Sequence, residues 1–270
     1  MEEAKIKAKN TYDSASDTFD DPANSYWEKY GRRTVELLEL PLGACVLDVA
    51  CGTGASAIPA AEIVGPLGKV VGVDLSAKML ELARAKAASL GLKHIEFREG
   101  DMTQLDFPDN NFNAVVCVFS IFFVPDMPVL VSELWRMVKP GGKLAITTWG
   151  PDLFEPMYSI YDNVIKETRP NLVSEFRPWD RITTESALEQ LIKDGGAENI
   201  IIESEAGEQK LQNSDSWWKI VMGSGLRSAV NAMGPEMAEE VRIHNKEYIE
   251  KNDIHSVTTN VIYGVAQKSV

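Results

Sequence analysis

Cysteine and histidine are scarce, three of each in 270 residues. Cys45, Cys51 and Cys117 form no C-x-x-C pair and no cluster with metal-ligand spacing, which excludes a disulfide framework and a zinc site. Free thiols point instead to a reducing, cytoplasmic setting. Basic charge is also short: 27 Lys and Arg against 40 Asp and Glu leave a net charge of −13. That field repels a phosphate backbone and argues against nucleic-acid or anionic-membrane partners. No apolar run approaches the length of a bilayer span. Met1 to Asp13 alternates Lys and Glu, so no signal peptide is expected. Repeats and low-complexity tracts are lacking too. What remains is ordinary globular composition, 44% hydrophobic and 25% charged, enough for one large domain or two small ones.

From Ala44 to Gly150 short β-branched runs alternate with helical patterns, the signature of a parallel sheet covered on both faces. Strands are expected at Cys45–Ala50, Lys69–Leu75, His94–Gly100, Phe112–Ser120 and Lys143–Trp149. Helices are expected at Ala55–Val64, Ala77–Leu90 and Met127–Val138. Lys139-Pro140-Gly141-Gly142 predicts a turn before the fifth strand, because Pro ends a helix and Gly tolerates positive φ. Before this block a polar lead (Asp13 to Asp21) runs into a helix from about Asn24 to Leu40. After it, Pro151–Asp180 is rich in aromatics and prolines. A helix at Thr184–Asp194 and a strand at Ile200–Glu205 follow, then a mixed stretch over Ser214–Asn252 and a last strand at Thr259–Lys268. That last strand lacks a βαβ crossover from its predecessor, which suggests antiparallel insertion.

The most informative segment is Val46-Leu47-Asp48-Val49-Ala50-Cys51-Gly52-Thr53-Gly54-Ala55-Ser56-Ala57. A strand that runs into Gly-x-Gly at a helix start lets a ligand approach the backbone and meet helix amides. The pattern also satisfies G-x-G-x-x-A, with Asp74 twenty residues past Gly54, where a carboxylate reaches a ribose diol. A nucleoside-bearing ligand follows, a nicotinamide dinucleotide among the options. Asp48 argues against a pyrophosphate and for a cationic or ammonium group. Gly100-Asp101-Met102 closes the third strand at the same sheet edge.

In order, Leu47 to Gly54, Gly72-Val73-Asp74-Leu75-Ser76 with Met79, Gly100-Asp101-Met102, the strand Phe112–Ser120 and Val138 to Gly142 resemble the class I S-adenosylmethionine-dependent methyltransferases. The likeness is to the small-molecule branch that includes ubiquinone/menaquinone and glycine-type enzymes, and it covers Cys45–Gly150. The resemblance implies an α/β fold: a Rossmann-like, doubly wound, seven-stranded, mostly parallel sheet with an antiparallel last strand and helical cap insertions. The implied organisation is a helical lid over 1–43, a cofactor-binding core over 44–150, and over 151–270 the rest of the sheet with caps at about 151–182 and 214–252. The cofactor implied is S-adenosyl-L-methionine, with S-adenosyl-L-homocysteine as product.

The resemblance also implies roles. Asp48 lies near the methionine amino group, and Ala50, Gly52, Thr53 and Gly54 pass under the methionine and ribose. Asp74 accepts from both ribose hydroxyls, while Leu75 and Met79 pack on adenine. Asp101 accepts from the adenine amine and Met102 donates its amide to the ring. Phe119 and Ser120 border the methionine moiety, and Arg33 is the expected partner of its carboxylate. Tyr26, Trp27, Phe123, Trp149, Trp179 and Trp217 are the expected acceptor contacts. No catalytic residue and no metal site is assigned.

Simpler readings stand beside these. An acidic residue near a helix start, such as Asp74, is stabilising in its own right, and Asp101 can be an ordinary loop residue. Cys51 and Cys117 read as small buried hydrophobes, His94 as a surface residue and His244 as part of a solvated face. The aromatics outside the core are either an acceptor lid or plain packing under a small subdomain. A DNA-modifying member of the family needs Asn/Asp-Pro-Pro-Tyr/Phe after the fourth strand, and this chain has Ser120-Ile121-Phe122-Phe123. The expected function is therefore methyl transfer to an O, N or C atom of a small organic molecule. A nicotinamide-dependent oxidoreductase and a non-catalytic cofactor-binding module are the alternatives.

Overall fold

The computed structural model describes residues 2–173 and 177–270. Its strands are β1 (Cys45–Val49), β2 (Lys69–Asp74), β3 (Ile95–Glu99), β4 (Phe112–Val118), β5 (Val138–Trp149), β6 (Ile200–Glu205), β7 (Glu208–Lys210), β8 (Ser256–Thr258) and β9 (Val261–Gln267). Its helices are α1 (Glu2–Ala15), α2 (Tyr26–Leu37), α3 (Ala57–Val64), α4 (Ala77–Ser89), α5 (Met127–Met137), α6 (Met157–Thr168), α7 (Glu185–Asp194), α8 (Ser216–Met222), α9 (Arg227–Met233) and α10 (Pro235–Asn252). The chain divides into two units. One comprises Met1–Tyr26, Asp152–Arg177 and Ala206–Asn260, the other Trp27–Pro151, Pro178–Glu205 and Val261–Val270.

The sheet unit follows from its apolar runs. β1 and β4 read almost continuously hydrophobic because both faces are covered. The edge strands β3 and β6 instead carry Glu96, Arg98, Glu203 and Glu205, charges that discourage further strand pairing. The seven strands run in the order β3-β2-β1-β4-β5-β9-β6. β1 pairs in parallel with β2 and β4, and β9 lies antiparallel to both β5 and β6. This is the doubly wound sheet with an inverted last strand that the sequence predicts. On one face, Val46, Val70, Ala114, Val116 and Ala145 meet Val35 of α2, Leu38 just after it, the alanines of α3, and Leu80 and Ala83 of α4. On the other face α7 sits so close to β9 that a Cβ on Gly264 would lie 2.5 Å from Ile192 Cδ1.

The fifth strand differs from expectation. β5 begins at Val138, pairing with Phe112 before the register shifts to Ala114 and Lys143. Lys139 to Gly142 thus form an irregularity inside the ladder rather than a turn before it. Gly141 takes φ +76° and a Cβ on Gly142 would stand 2.6 Å from the Asn113 carbonyl, so the glycines let the ladder bend and resume.

The other unit has an interior of its own. Trp217 is fully buried and donates from Nε1 to Asn245 Oδ1 at 2.7 Å. Phe154 bridges Tyr26 and Trp217, with ring centroids 5.5 and 6.0 Å away. Tyr26 donates to Asn24 Oδ1 at 3.1 Å and Tyr161 to the Leu226 carbonyl at 3.3 Å. No element is expected ahead of the polar lead over Asp13 to Asp21, but Glu2–Ala15 form α1, whose composition favours helix and which packs against α9; of the lead itself only Asp13–Ala15 are helical. The ribbon of β7 and β8 was also not expected, because three residues per strand leave no periodicity to read. The expected cap over 151–182 includes positions 174–176, which lie outside the described residues. Among the described residues no helix is long and apolar enough to cross a membrane.

Candidate functional site

In an open parallel sheet the chain reverses direction of winding where neighbouring strands are not consecutive, and a crevice opens at their carboxyl ends. Here that point lies between β1 and β4. Both strands end in a residue other than glycine with positive φ, Ala50 at +57° and Phe119 at +51°. Each such residue costs on the order of 1–3 kcal/mol, and strain of this kind gathers at functional positions.

Asp48 stands near the end of β1 at 1% exposure. Its Oδ2 accepts from Ser56 Oγ at 2.6 Å, whereas its Oδ1 is buried with no hydrogen-bond partner among the described residues. Burial pushes this carboxyl up to about 7; the Asp74 charge adds to the rise, and the Ser56 hydroxyl and Ala57 amide oppose it. Asp74, at the end of β2, ties the glycine turn to the next helix. One oxygen accepts from the Gly52 amide and the other from the Ser76 amide, both at 2.8 Å. Ser76 in turn caps α4 by accepting from the Met79 amide. Gly52 and Gly54 both take positive φ, +52° and +90°. Gly72 lets the turn sit low on the sheet: a Cβ there would lie 2.8 Å from Cys51 Sγ and from the Phe97 ring.

The next strand end is linked to this one. The Gly100 amide donates to the Asp74 carbonyl at 3.0 Å, and Asp101 Oδ1 accepts from the amide and the hydroxyl of Thr103, each at 2.8 Å. Asp101, Met102 and Leu75 are half-buried and Met79 is buried. Beyond β1, Phe119 stacks on Trp149 at 3.8 Å and 11°, with Trp27 edge-on to Phe119 and tilted against Trp149, each at 5.6 Å, and Tyr30 edge-on to the same two rings at 6.1 and 6.3 Å. Ser120 is buried, its Oγ 3.1 Å from Cys117 Sγ, and burial holds the Cys117 thiol up at about 12.

The structure therefore lines Asp48, Ala50, Gly52, Thr53, Gly54, Asp74, Leu75, Asp101, Met102 and Phe119 along one edge of the sheet, from β3 through β2 and β1 to β4. Trp27 and Trp149 join at the β4 end. Phe123 lies in a short turn of 3-10 helix, Ile121–Phe123, and Trp179 in another, Pro178–Ile182. The two turns pack together, and Arg181 fastens them by donating to the Val124 and Pro125 carbonyls at 2.6 and 2.7 Å.

Three expected residues lie elsewhere. Arg33 pairs with Glu203 of β6 at 3.3 Å and with Glu36, at the far edge of the sheet from β1, so the carboxylate role expected of it has no geometric basis. Tyr26 and Trp217 are used up in the interior of the other unit, with their polar atoms satisfied; packing explains them. Sequence reasoning also passed over residues the loop depends on. Gly31, in the middle of α2, allows that helix to touch the loop, since a Cβ there would lie 2.5 Å from the Ala55 carbonyl oxygen. Its signal is an isolated glycine in a helical pattern. Lys86 places Nζ 3.1 Å from Thr53 Oγ1 and left no motif to find.

Residues 46–142 match the family described as a methyltransferase domain. A demethylmenaquinone methyltransferase of Oceanobacillus iheyensis is 34% identical over 167 residues, 61% of this chain and 69% of that protein. The chain belongs to the class I S-adenosylmethionine-dependent methyltransferases. A demethylmenaquinone methyltransferase of Listeria monocytogenes is 40% identical over 126 residues, 46% of this chain and 53% of the relative. The chain thus spans about half the length of the Listeria relatives it matches. Among solved structures, a SAM-dependent methyltransferase from Aquifex aeolicus superposes with TM-score 0.52 at 25% identity, over 72% of this chain and 90% of that one. As a methyltransferase-family cofactor site the residues present fit. A buried carboxylate oxygen lacking a partner suits an ammonium donor, and a second carboxylate at the turn suits a diol.

Proposed function

We propose that the protein transfers a methyl group from S-adenosylmethionine to an O, N or C atom of a small organic molecule, leaving S-adenosylhomocysteine. The observation that carries this is the buried Asp48 Oδ1 without a partner, set beside a glycine turn that Asp74 holds by the Gly52 amide. Bound in this site, the cofactor supplies a sulfonium-activated methyl group. The chain supplies placement. Asp48 neutralises the methionine ammonium, and the Asp74 carboxylate, beside the amides it holds, accepts from the ribose hydroxyls. Asp101 and the Met102 amide address the adenine edge, with Leu75 and Met79 against the ring. On the acceptor side, Phe119, Trp149 and Trp27 form an apolar wall that excludes water and orients the acceptor, and Phe123 and Trp179 extend it. Orientation and desolvation of this kind supply roughly 7–11 kcal/mol of a displacement barrier.

A nicotinamide enzyme shares the turn and a carboxylate like Asp74 but would place a pyrophosphate over the turn, where the buried Asp48 carboxyl gives it no donor. The net charge of −13 supports a small-molecule rather than a nucleic-acid acceptor, and the free thiols support a cytoplasmic setting. Calorimetry of the purified chain tests the cofactor assignment: binding of S-adenosylmethionine and S-adenosylhomocysteine is expected, and heat with NAD alone would refute it.

A further inference from the structure

We propose that Lys86 is a positioning residue for the cofactor loop, acting through Thr53; the role rests on the cofactor reading given above. Thr53 sits between Gly52 and Gly54, both at positive φ, so the backbone on either side of it is the most permissive in the turn. A loop of that composition binds tightly only if something else fixes it, because binding otherwise has to order it. Asp74 fixes one flank through the Gly52 amide. The apex is fixed by Lys86, whose Nζ donates to Thr53 Oγ1 at 3.1 Å.

The lysine is itself well placed to act as an anchor. It lies on α4, which Ser76 caps at its start and which Arg84 ties to β3 by donating to the Phe97 carbonyl at 2.9 Å. Its side chain is 26% exposed, so the stem is held against protein and only the ammonium is placed, while the Thr53 hydroxyl it meets is on a residue 1% exposed. Nζ also lies 3.4 Å from Glu28 Oε1 at the start of α2. Lys86 therefore joins α4, the turn and α2, the helix that Gly31 already lets touch the same turn at Ala55. Between these contacts, the one to Thr53 carries the role, because Glu28 is 69% exposed and an exposed ion pair contributes little. The lysine also sets a positive charge behind a turn whose other ionisable groups, Asp48 and Asp74, are acidic, which offsets their repulsion of the methionine carboxylate.

The test is calorimetric titration of the full chain with S-adenosylhomocysteine, alongside its melting temperature. Lys86→Met keeps the stem and removes the donor; roughly threefold to tenfold weaker binding is expected, the size of one ordinary hydrogen bond. Lys86→Arg should recover most of the affinity, Glu28→Gln should stay within about twofold of the parent, and Thr53→Val should match Lys86→Met. The double variant should be no weaker than the weaker single one, since both remove the same bond. Parent-like affinity in Lys86→Met or in Thr53→Val, or losses that add in full, would overturn the role. If Lys86→Met fails to fold, Thr53→Val alone decides. No heat from the parent itself would instead refute the cofactor reading, and the Lys86 role with it.

Discussion

Replacing Asp48 by Asn should make the protein without cofactor more stable at alkaline pH while weakening its hold on the cofactor. Burial raises the Asp48 carboxyl from its ordinary 3.8 to about 7. The folded chain therefore keeps this proton over a range in which the unfolded chain has released it. Below pH 4 both states are protonated and the raised value makes its full contribution. Between about pH 4 and 7 that contribution is lost as the pH rises, and above 7 both states are ionised and the charge is simply buried. A shift from 3.8 to about 7 corresponds to about 4 kcal/mol of stability lost across that window. Asn removes the charge but leaves a buried N–H group without an acceptor, which costs about 1–3 kcal/mol. The net gain for Asp48→Asn at pH 8 is then about 1–3 kcal/mol, and at pH 5 it vanishes or reverses. Denaturant unfolding of both proteins from pH 5 to 9 measures the difference, which cancels the other titrating groups. Added S-adenosylhomocysteine should reverse the order at pH 8, because its ammonium partners the ionised parent carboxylate and not the amide. A parent more stable than Asp48→Asn at every pH, with a constant gap, would refute both the buried charge and its assigned partner.

Asp74→Ala should weaken S-adenosylhomocysteine binding by roughly 1.5–3 kcal/mol, and because Asp74 also holds the Gly52 and Ser76 amides, the melting temperature should fall with it; unchanged affinity would remove the ribose role. Gly31→Ala, normally stabilising in a helix by about 1 kcal/mol, should here destabilise and weaken cofactor binding, since its methyl meets the Ala55 carbonyl; a raised melting temperature would show that α2 does not bear on the turn. Arg33→Ala should leave S-adenosylhomocysteine affinity within about twofold of the parent and cost at most about 1 kcal/mol of stability, as an exposed pair with Glu203 does.

How far the sequence speaks depends on whether a residue's role is local. The strands β1, β2 and β4 are legible to within two residues because buried parallel strands are largely apolar, and the edge strand β3 because its apolar and charged residues alternate between the end of α4, marked by Gly91, and Gly100. The turn from Ala50 to Gly54 and the carboxylates Asp48 and Asp74 at the ends of β1 and β2 and Asp101 after β3 are legible for a like reason: their places depend on position along one strand and on a glycine pattern beside it. Tyr26 and Trp27 show where this stops. They are consecutive, alike in size and equally plausible as acceptor contacts. Yet successive positions on a helix point about 100° apart, and Tyr26 belongs to the interior with Phe154 while Trp27 meets Phe119 and Trp149. Arg33, Lys86 and Gly31 fail to read for a related reason, since each takes its meaning from a neighbour in another element.

The positions where local rules give the wrong answer are themselves informative. A positive φ calls for glycine, and the chain obeys at Gly52 and Gly54 but not at Ala50 or Phe119. At Ala50 the cost is small and the turn gains a methyl group between strand and glycine. At Phe119 the strained backbone aims a ring back over the sheet edge, where it lies flat on Trp149. A glycine there would relax the backbone and remove the ring. That the sequence keeps the strained aromatic, at the end of the strand beside β1, is what a site selected for ligand placement rather than stability should show. In the proposed assignment it ties the acceptor wall to the same winding reversal as the cofactor edge: one topological feature of the sheet puts Asp48 and Phe119 on adjacent strand ends, where a methyl donor and its acceptor would meet.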